Sequence, residues 1–395
     1  MRITELEAIP VAVSDPPLRN SWGVHAPYFL RTILRLRTDD GLVGLSETYG
    51  PDIVPPHLVD RAREIVVGDH PANMRRFALR LGSPAIAGAI EVACLDLVGR
   101  ATNQRVCDLL GGSVRDRVAF SAYLFFKYGG DDPWGEVGSP EQMVALAERF
   151  TEQFGFATLK VKGGVLPPLQ EVETMRLLRR RFGPECALRL DPNAVWSVET
   201  SLRVAYELER AGVWLEYLED PTAGIAGMAS VRERITLPLA TNMCVTRWED
   251  IAPAVEARAV DVILSDHHSW GGLRACQELG RVCATFRLGV GMHSNSHLGI
   301  SMAAMIHLAS VVPTMIPAAD THYPWLDEDI LTGHSFQFHK GTLSVPAGPG
   351  LGVTLDEDRV AKHHDAFLRG PVRRRDDTAE LIKRDPTWLP ITPRW

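Results

Sequence analysis

Polar residues close a series of short apolar runs through the middle of the chain. TLKVK, ALRLD, WLEYLE, LPLATN, VILSD and LGVGMH end at Lys162, Asp191, Glu219, Asn242, Asp266 and His293. Successive members lie 23 to 29 residues apart. Around and between them, EQMVALAERFTEQF, LQEVETMRLLRRRF, SVETSLRVAYELERAG and GLRACQELGRVCATF carry apolar residues at the three- and four-residue spacing of amphipathic helices. The interval is that of one strand-plus-helix unit in a (β/α)8-type barrel, where roughly 250 residues are shared by eight units. Alternation of this kind predicts parallel strands joined by right-handed crossovers, from VAFSAYLFF to about residue 365. The fold class is therefore α/β, and a barrel gathers the C-terminal ends of its strands on one face.

The first hundred residues follow a different pattern. ITELEAIPVAV and FLRTILRLRTDDGLVGLSETY read as strands, the second as a hairpin turning at Asp40-Gly41. HLVDRAREIV, ANMRRFALRL and IAGAIEVACLDLVGRATN then read as helices. A block of strands followed by a block of helices predicts an α+β domain. Gly111-Gly112 ends the last of these helices, which places the boundaries at 1–118, 119–365 and 366–395. The last segment, with Arg373-Arg374-Arg375 and several prolines, reads as an irregular tail packing on the N-terminal domain.

Composition narrows the function classes. Of 395 residues 45% are hydrophobic and 23% charged, as in ordinary globular proteins. A net charge of −7 gives no electrostatic case for nucleic acid or an anionic membrane. No apolar run is long enough to span a bilayer, and the alternating N-terminus lacks a signal-peptide layout. The six cysteines include no CxxC pair and read as reduced thiols of a cytoplasmic protein. Cys244, two residues after Asn242, reads as packing.

The residues converging on the barrel face define the chemistry. Asp191, Glu219 and Asn242 offer only oxygen, which suits a hard cation such as Mg²⁺. Lys160 and Lys162 share one strand face, and two ammonium groups so close lower one another's pKa, making one of them a usable base. Asp266 one unit before His293 reads as an Asp–His dyad that fixes the imidazole tautomer. His297 reads as structural, and His267 and His268, beside Asp266, stay ambiguous. Two bases flanking a cation make a carbon-acid site, in which removal of the proton α to a carboxylate gives an enediolate.

Motifs elsewhere extend this reading: Trp22 to Arg31 (WGVHAPYFLR), Tyr123-Leu-Phe-Phe126, Leu159-Lys-Val-Lys-Gly-Gly-Val165, Asp191-Pro-Asn193, Glu219-Asp-Pro221, Ala240-Thr-Asn242, Gly291-Met-His-Ser-Asn295, Asp320-Thr-His-Tyr-Pro-Trp325 and Arg375-Asp-Asp377. Across nearly the whole chain they resemble the enolase superfamily, and within it the glucarate dehydratases of the mandelate racemase/glucarate dehydratase group. The resemblance implies an N-terminal α+β capping domain on a modified barrel, with Mg²⁺ held by Asp191, Glu219 and Asn242. It also implies Lys162 and His293 as bases tuned by Lys160 and Asp266. Substrate contacts implied in the same way are His25, Tyr123, Phe125, Lys160, Asn193, Asn295, His322 and Arg375. An arginine suits the far carboxylate of a diacid sugar. The chain departs from the family at Gly88, where a substrate-contacting threonine is usual, and in the 127–140 loop.

The expected activity is Mg²⁺-dependent dehydration of D-glucarate to 5-dehydro-4-deoxy-D-glucarate. Alternatives are dehydration or epimerisation of another aldarate, galactarate or idarate, or a catalytically weak scaffold related to such enzymes. The expected partners are a small diacid sugar and further copies of the chain, without nucleic acid or membrane.

Overall fold

In a computed structural model of the chain, residues 1–395 are described apart from Ala26, Ile316, His334 and Ser335; Ala26, within the 22–31 motif, thus lies outside the described residues. The chain opens with β1 (Ile3–Ser14), a small hairpin of β2 (Leu18–Asn20) and β3 (Gly23–His25), then β4 (Tyr28–Thr38) and β5 (Val43–Tyr49). β1, β4 and β5 form an antiparallel sheet in that order. The predicted hairpin turn lies between β4 and β5, where Gly41 takes φ 84°. Four helices follow: α1 (Pro56–Val66), α2 (Met74–Leu81), α3 (Pro84–Thr102) and α4 (Val106–Leu109). α3 lies close on β5. A side chain at Gly44 would meet the Ala93 carbonyl, and the buried Asp96 carboxylate accepts from Leu45 N at 2.9 Å and Leu351 N at 2.8 Å.

After β6 (Arg117–Ala119) the parallel sheet begins with β7 (Ala122–Phe125) and α5 (Pro140–Phe154). It continues through β8 (Thr158–Lys162), α6 (Pro168–Phe182), β9 (Ala187–Asp191), α7 (Val198–Arg210), β10 (Tyr217–Glu219) and α8 (Gly224–Arg232). Next come β11 (Leu239–Thr241), α9 (Trp248–Glu256), β12 (Val262–Ser265), the short α10 (His267–Trp270), α11 (Leu273–Phe286), β13 (Gly289–Met292) and α12 (Gly299–Val311). The seven strands β7 to β13 pair in sequence order. Alternation sends Leu159, Val161, Leu188 and Leu190 to one face and Lys160, Lys162, Arg189 and Asp191 to the other. α12 is buried all round, because it packs on α11 and also against β5, β6 and α4. This explains why its sequence is apolar on every face.

The predicted strand-and-helix alternation stops here rather than near residue 365. No eighth regular strand forms among the described residues. Instead a short piece of chain closes the gap: Asp320 N donates to Met292 O at 3.0 Å, and Ser121 N donates to Ala319 O at 2.8 Å. Pro313 and Pro317 lack N–H groups, which leaves this stretch little capacity for a longer ladder. β14 (Thr342–Ser344) then pairs antiparallel with β6. α13 (Glu357–Arg369), which spans residue 365, packs on β1, and α14 (Asp377–Arg384) packs on β3. The tail read as irregular thus contains a helix. Its start is capped by Asp376, which accepts from Ala379 N at 2.9 Å, and Lys383 and Arg384 lie in its last turn.

The 127–140 loop has a packing role. Lys127 is 1% exposed; its ammonium meets Asp132 Oδ2 at 3.0 Å and the Tyr128 carbonyl at 2.9 Å. Trp134 packs on Phe150 and Trp325.

Candidate active site

The six polar residues that close the apolar runs come together at one end of the barrel. Lys162, Asp191 and Glu219 are the last residues of β8, β9 and β10, and Asn242, Asp266 and His293 immediately follow β11, β12 and β13. Lys162 Nζ donates to Asp191 Oδ2 at 2.7 Å. Lys160 lies one layer deeper and is fully buried; its ammonium lies 2.6 Å from Glu219 Oε2, 2.6 Å from Asp320 Oδ2 and 3.3 Å from Asp191 Oδ2. Asp320 also faces Arg189 Nη1 at 3.2 Å.

These carboxylates reverse the effect expected for the two lysines. Burial alone would lower both pKa values, but Asp320 and Glu219 hold Lys160 well above its ordinary value, and Asp191 holds Lys162 up. The mutual repulsion of the ammonium groups is outweighed. Asp191 is correspondingly held low, burial notwithstanding, by Lys162 and Lys160. Glu219 is pushed up by burial and by the charge of Asp191.

Asn242 joins this floor to the opposite wall. Its backbone N–H and the Thr241 hydroxyl donate to Asp220 at 2.9 and 2.6 Å. With the side-chain oxygen toward Glu219 and Asp220, that oxygen faces only acceptors, and the amide nitrogen faces His293 Nε2. Turned over, its nitrogen donates to Glu219 Oε1 at 3.3 Å and Asp220 Oδ2 at 2.9 Å, and its oxygen accepts from His293 Nε2 at 3.2 Å. A cation among Asp191, Glu219 and Asn242 would satisfy the first orientation. The donor set is all oxygen, as Mg²⁺ requires. Asp220, Asn193 and Ala194 take φ of 38°, 52° and 59°, so the loops after β9 and β10 hold an unusual backbone beside these oxygens. Asn193 Oδ1 is buried without a hydrogen-bond partner.

On the far side, His293 Nδ1 lies 3.3 Å from Asp266 Oδ2. The other carboxylate oxygen meets His268 Nδ1 at 3.0 Å, so Asp266 serves two imidazoles. Burial would raise Asp266, but His268 and His293 hold it well below the carboxylate range. His268, left ambiguous by sequence, is a relay to the N-terminal sheet. Its Nε2 lies 2.9 Å from Arg31 Nη2, and Arg31 Nε donates to Glu47 Oε1 at 2.6 Å. His297 is buried against Ser294 and Met305, and the His267 ring lies beside that of His268, tilted by 39° with ring centres 3.9 Å apart. Burial lowers the pKa of both.

Above this floor lies a cavity of about 720 Å³, with Lys162, Asn193, Asn242, His293 and Asn295 on the barrel side. Tyr123 and Phe125 come from β7, His25 from β3, His322 from beyond the closing piece, and Arg375 from the tail. The Tyr123 ring covers Lys160 and Lys162 at 4.8 and 5.6 Å. Phe125 sits beside His25 and His322, with ring centres 5.5 and 5.8 Å away. Lys160 does not line the cavity. A further cavity of about 830 Å³ lies between α8, α9 and α11, where Arg232 and Asp261 pair with one another at 2.7 and 2.8 Å, away from all of these groups.

Two positions singled out by the motifs have contacts that the sequence does not reveal. Arg375 is not a free cation: its Nε and Nη2 donate to Asp377 at 2.7 and 3.1 Å. Gly88 lies inside α3, and a Cβ there would meet the His267 carbonyl at 2.7 Å and Gly272 N at 2.8 Å. The position packs α3 on α10 and offers nothing to a substrate. Sequence reasoning also missed Asp15, which faces His25 Nδ1 at 3.3 Å and His322 Nε2 at 3.1 Å. It lies before Pro16-Pro17 and reads as a turn residue. Asp320 was visible only as the first residue of its DTHYPW motif. All six cysteines are free, and Cys244 is half-buried outside the cavity.

A capped barrel with polar strand ends facing a cavity shared by both parts of the chain defines the class. Residues 142–359 match the family described as enolase C-terminal domain-like, and residues 17–111 match the mandelate racemase / muconate lactonizing enzyme N-terminal domain. The chain belongs to the enolase superfamily. Within it, the chain is 44% identical to a probable glucarate dehydratase of Streptomyces coelicolor, over 100% of this chain and 99% of that protein. It is similar to an enolase of Mycobacterium smegmatis solved with tartrate, at 45% identity and TM-score 0.96, covering 100% of this chain and 98% of that one. It is also similar to an enolase of Thermobispora bispora solved with magnesium and formate, at 44% identity and TM-score 0.96, covering 100% of both chains.

Proposed function

We propose that this enzyme is a Mg²⁺-dependent hydro-lyase acting on D-glucarate and forming 5-dehydro-4-deoxy-D-glucarate. One observation carries the reading: Lys162 and His293 enter the same cavity from opposite sides of the oxygen set Asp191, Glu219 and Asn242. The likeness to a probable glucarate dehydratase and to a magnesium-bound enolase supports the substrate class and the cation. When bound, Mg²⁺ would supply positive charge beside the substrate carboxylate and offset the hold of Asp191 and Glu219 on the lysine protons.

His293 is the base for D-glucarate. Asp266 accepts from Nδ1–H, and with the Asn242 oxygen turned to the cation, Nε2 carries no proton and faces the Asn242 amide nitrogen and the cavity. Nε2 takes the proton α to the carboxylate, and the imidazolium returns a proton to the β-hydroxyl as its C–O bond breaks. Water leaves and the resulting enol becomes the ketone. Lys162 occupies the face from which the α-proton of the epimeric diacid is taken.

The test is turnover across a panel of aldarates with product detection, before and after chelation. D-glucarate is expected to be dehydrated only with added Mg²⁺. Full activity in excess chelator, with no metal by elemental analysis, would sink the cation assignment; turnover of no aldarate would sink the substrate class.

A further inference from the structure

The RDD motif at 375–377 places one positive and two negative side chains in the cavity lining, and the reaction above uses none of them. Arg375 and Asp377 both line the cavity and are 19% and 14% exposed. The Nε/Nη2 edge of the guanidinium, the edge that grips a carboxylate with two parallel bonds, is filled by Asp377. Its remaining nitrogen, Nη1, lies 3.4 Å from Ser296 Oγ and 3.9 Å from Asp15 Oδ2. Asp15 and Asp377 are both held in the ionised form, and burial lowers the pKa of His25 between them. One guanidinium thus faces two carboxylates, and the second carboxylate of a diacid arriving here would have to compete with them for it.

We propose that Asp377 is a substrate-displaced gate on Arg375: its carboxylate occupies the guanidinium edge in the free enzyme and yields that edge to the distal carboxylate of a diacid. The proposal rests on the diacid reading and assigns its specificity to the exchange of one carboxylate for another. Asp377 is placed to yield without losing every partner. Its Oδ2 also accepts from Asn20 Nδ2 at 2.7 Å and lies 3.6 Å from His25 Nε2. It stands at the first position of α14, where the helix dipole favours negative charge whichever way the side chain turns. A neutral hydroxyl at the distal end of a monoacid cannot replace an ionised carboxylate on the guanidinium, so it leaves the gate shut. Asp377 is then a specificity-determining residue, and the fraction of enzyme with Arg375 free sets the apparent affinity for diacids.

The experiment uses the full chain with Mg²⁺ in a His293→Asn background, where dehydration is blocked, and titrates D-glucarate and gluconate by calorimetry. Asp377→Asn keeps the Asn20 contact and removes the competing charge. It is expected to bind D-glucarate about tenfold tighter and gluconate within about twofold of the parent. Asp377→Glu, which keeps the charge, is expected to show no such gain and controls for disturbed packing of the tail. Unchanged or weaker D-glucarate binding by Asp377→Asn overturns the gate while leaving the diacid reading intact. Equal affinity of the parent for gluconate and D-glucarate overturns the diacid reading and the gate with it.

Discussion

The floor of the cavity draws its side chains from successive strand ends, whereas its far wall draws them from segments hundreds of residues apart. On the floor, Lys162, Asp191, Lys160 and Glu219 lie within 2.6 to 3.3 Å of one another in a chain of contacts. Their positions follow from one repeated rule, an apolar run that ends in a polar residue at the barrel mouth. The far wall has no such rule. Asn20 and His25 meet Asp377 because α14 packs on β3, and His25 and His322 meet at Asp15 although they lie 297 residues apart in sequence. Both ends balance charge, but the floor does so within a regular scaffold and the wall through docking of the tail. The floor is therefore suited to fixing the reacting carbon, and the wall to selecting what lies at the other end of the substrate.

The strongest way to break this division is on the floor side. His293→Asn removes the group proposed to take and return the proton. D-glucarate dehydration is expected to fall by about 10²–10⁴, the usual contribution of a positioned acid–base group. Lys162 is untouched, so solvent deuterium should still enter the α-position of the epimeric diacid, as read by NMR. Normal turnover of D-glucarate by this variant would refute the assignment of roles.

The wall responds less, and in a way that depends on two residues together. Arg375→Met leaves Asp377 and Asp15 without the guanidinium that balances them. The diacid should lose roughly 2–3 kcal/mol in kcat/KM, the lower part of the range for truncated buried charge pairs because this pair is partly exposed. Arg375→Met/Asp377→Asn should recover part of that loss, since half of the repulsion is gone. A double variant no better than Arg375→Met would show that Asp377 acts only through Arg375 and adds no direct repulsion of the diacid.

Legibility in the sequence follows the same division. The six strand-end residues could be found because period-two strands and helical spacers recur at nearly constant length. The Asp266–His293 pairing followed from adjacent barrel units, and the structure places the two groups 3.3 Å apart. What could not be read was the company these residues keep. Lys160 was assessed against Lys162 alone, because Asp320 lies 160 residues away and follows no apolar run. That omission inverted the expected shift of the lysine pKa values. Asp15 sits before two prolines and Asp377 in a charged tail, and nothing in the local sequence shows that docking of the tail makes them neighbours. That no eighth regular strand forms among the described residues was hidden similarly, because backbone donors, not side-chain patterning, decide how far a strand can pair.

The smallest expected effect concerns how firmly the floor is held. Beyond Lys162 the chain turns sharply, and the buried Glu171 carboxylate accepts from Gly164 N at 3.0 Å, Val165 N at 2.8 Å and Leu166 N at 3.0 Å. Burial raises its pKa from 4.5 to about 7, against the lowering pull of these three N–H groups. An acid whose pKa is raised on folding adds stability that is fully present below the unfolded value and lost as pH climbs through the folded value. Folding stability should therefore decline between about pH 4.5 and pH 7, by an amount on the order of 2 kcal/mol from pH 5 to pH 8. Glu171→Gln cannot ionise, so its own melting temperature should vary less over that interval than that of the unaltered enzyme, even though the amide fits the three donors less well. The far wall contains no corresponding acid: Asp15 and Asp377 are lowered and remain ionised throughout the window. Melting curves of the two proteins at pH 5 and pH 8 check this directly. Identical pH dependence in both would mean that Glu171 is already ionised at pH 5 and that the floor is held by a charged carboxylate.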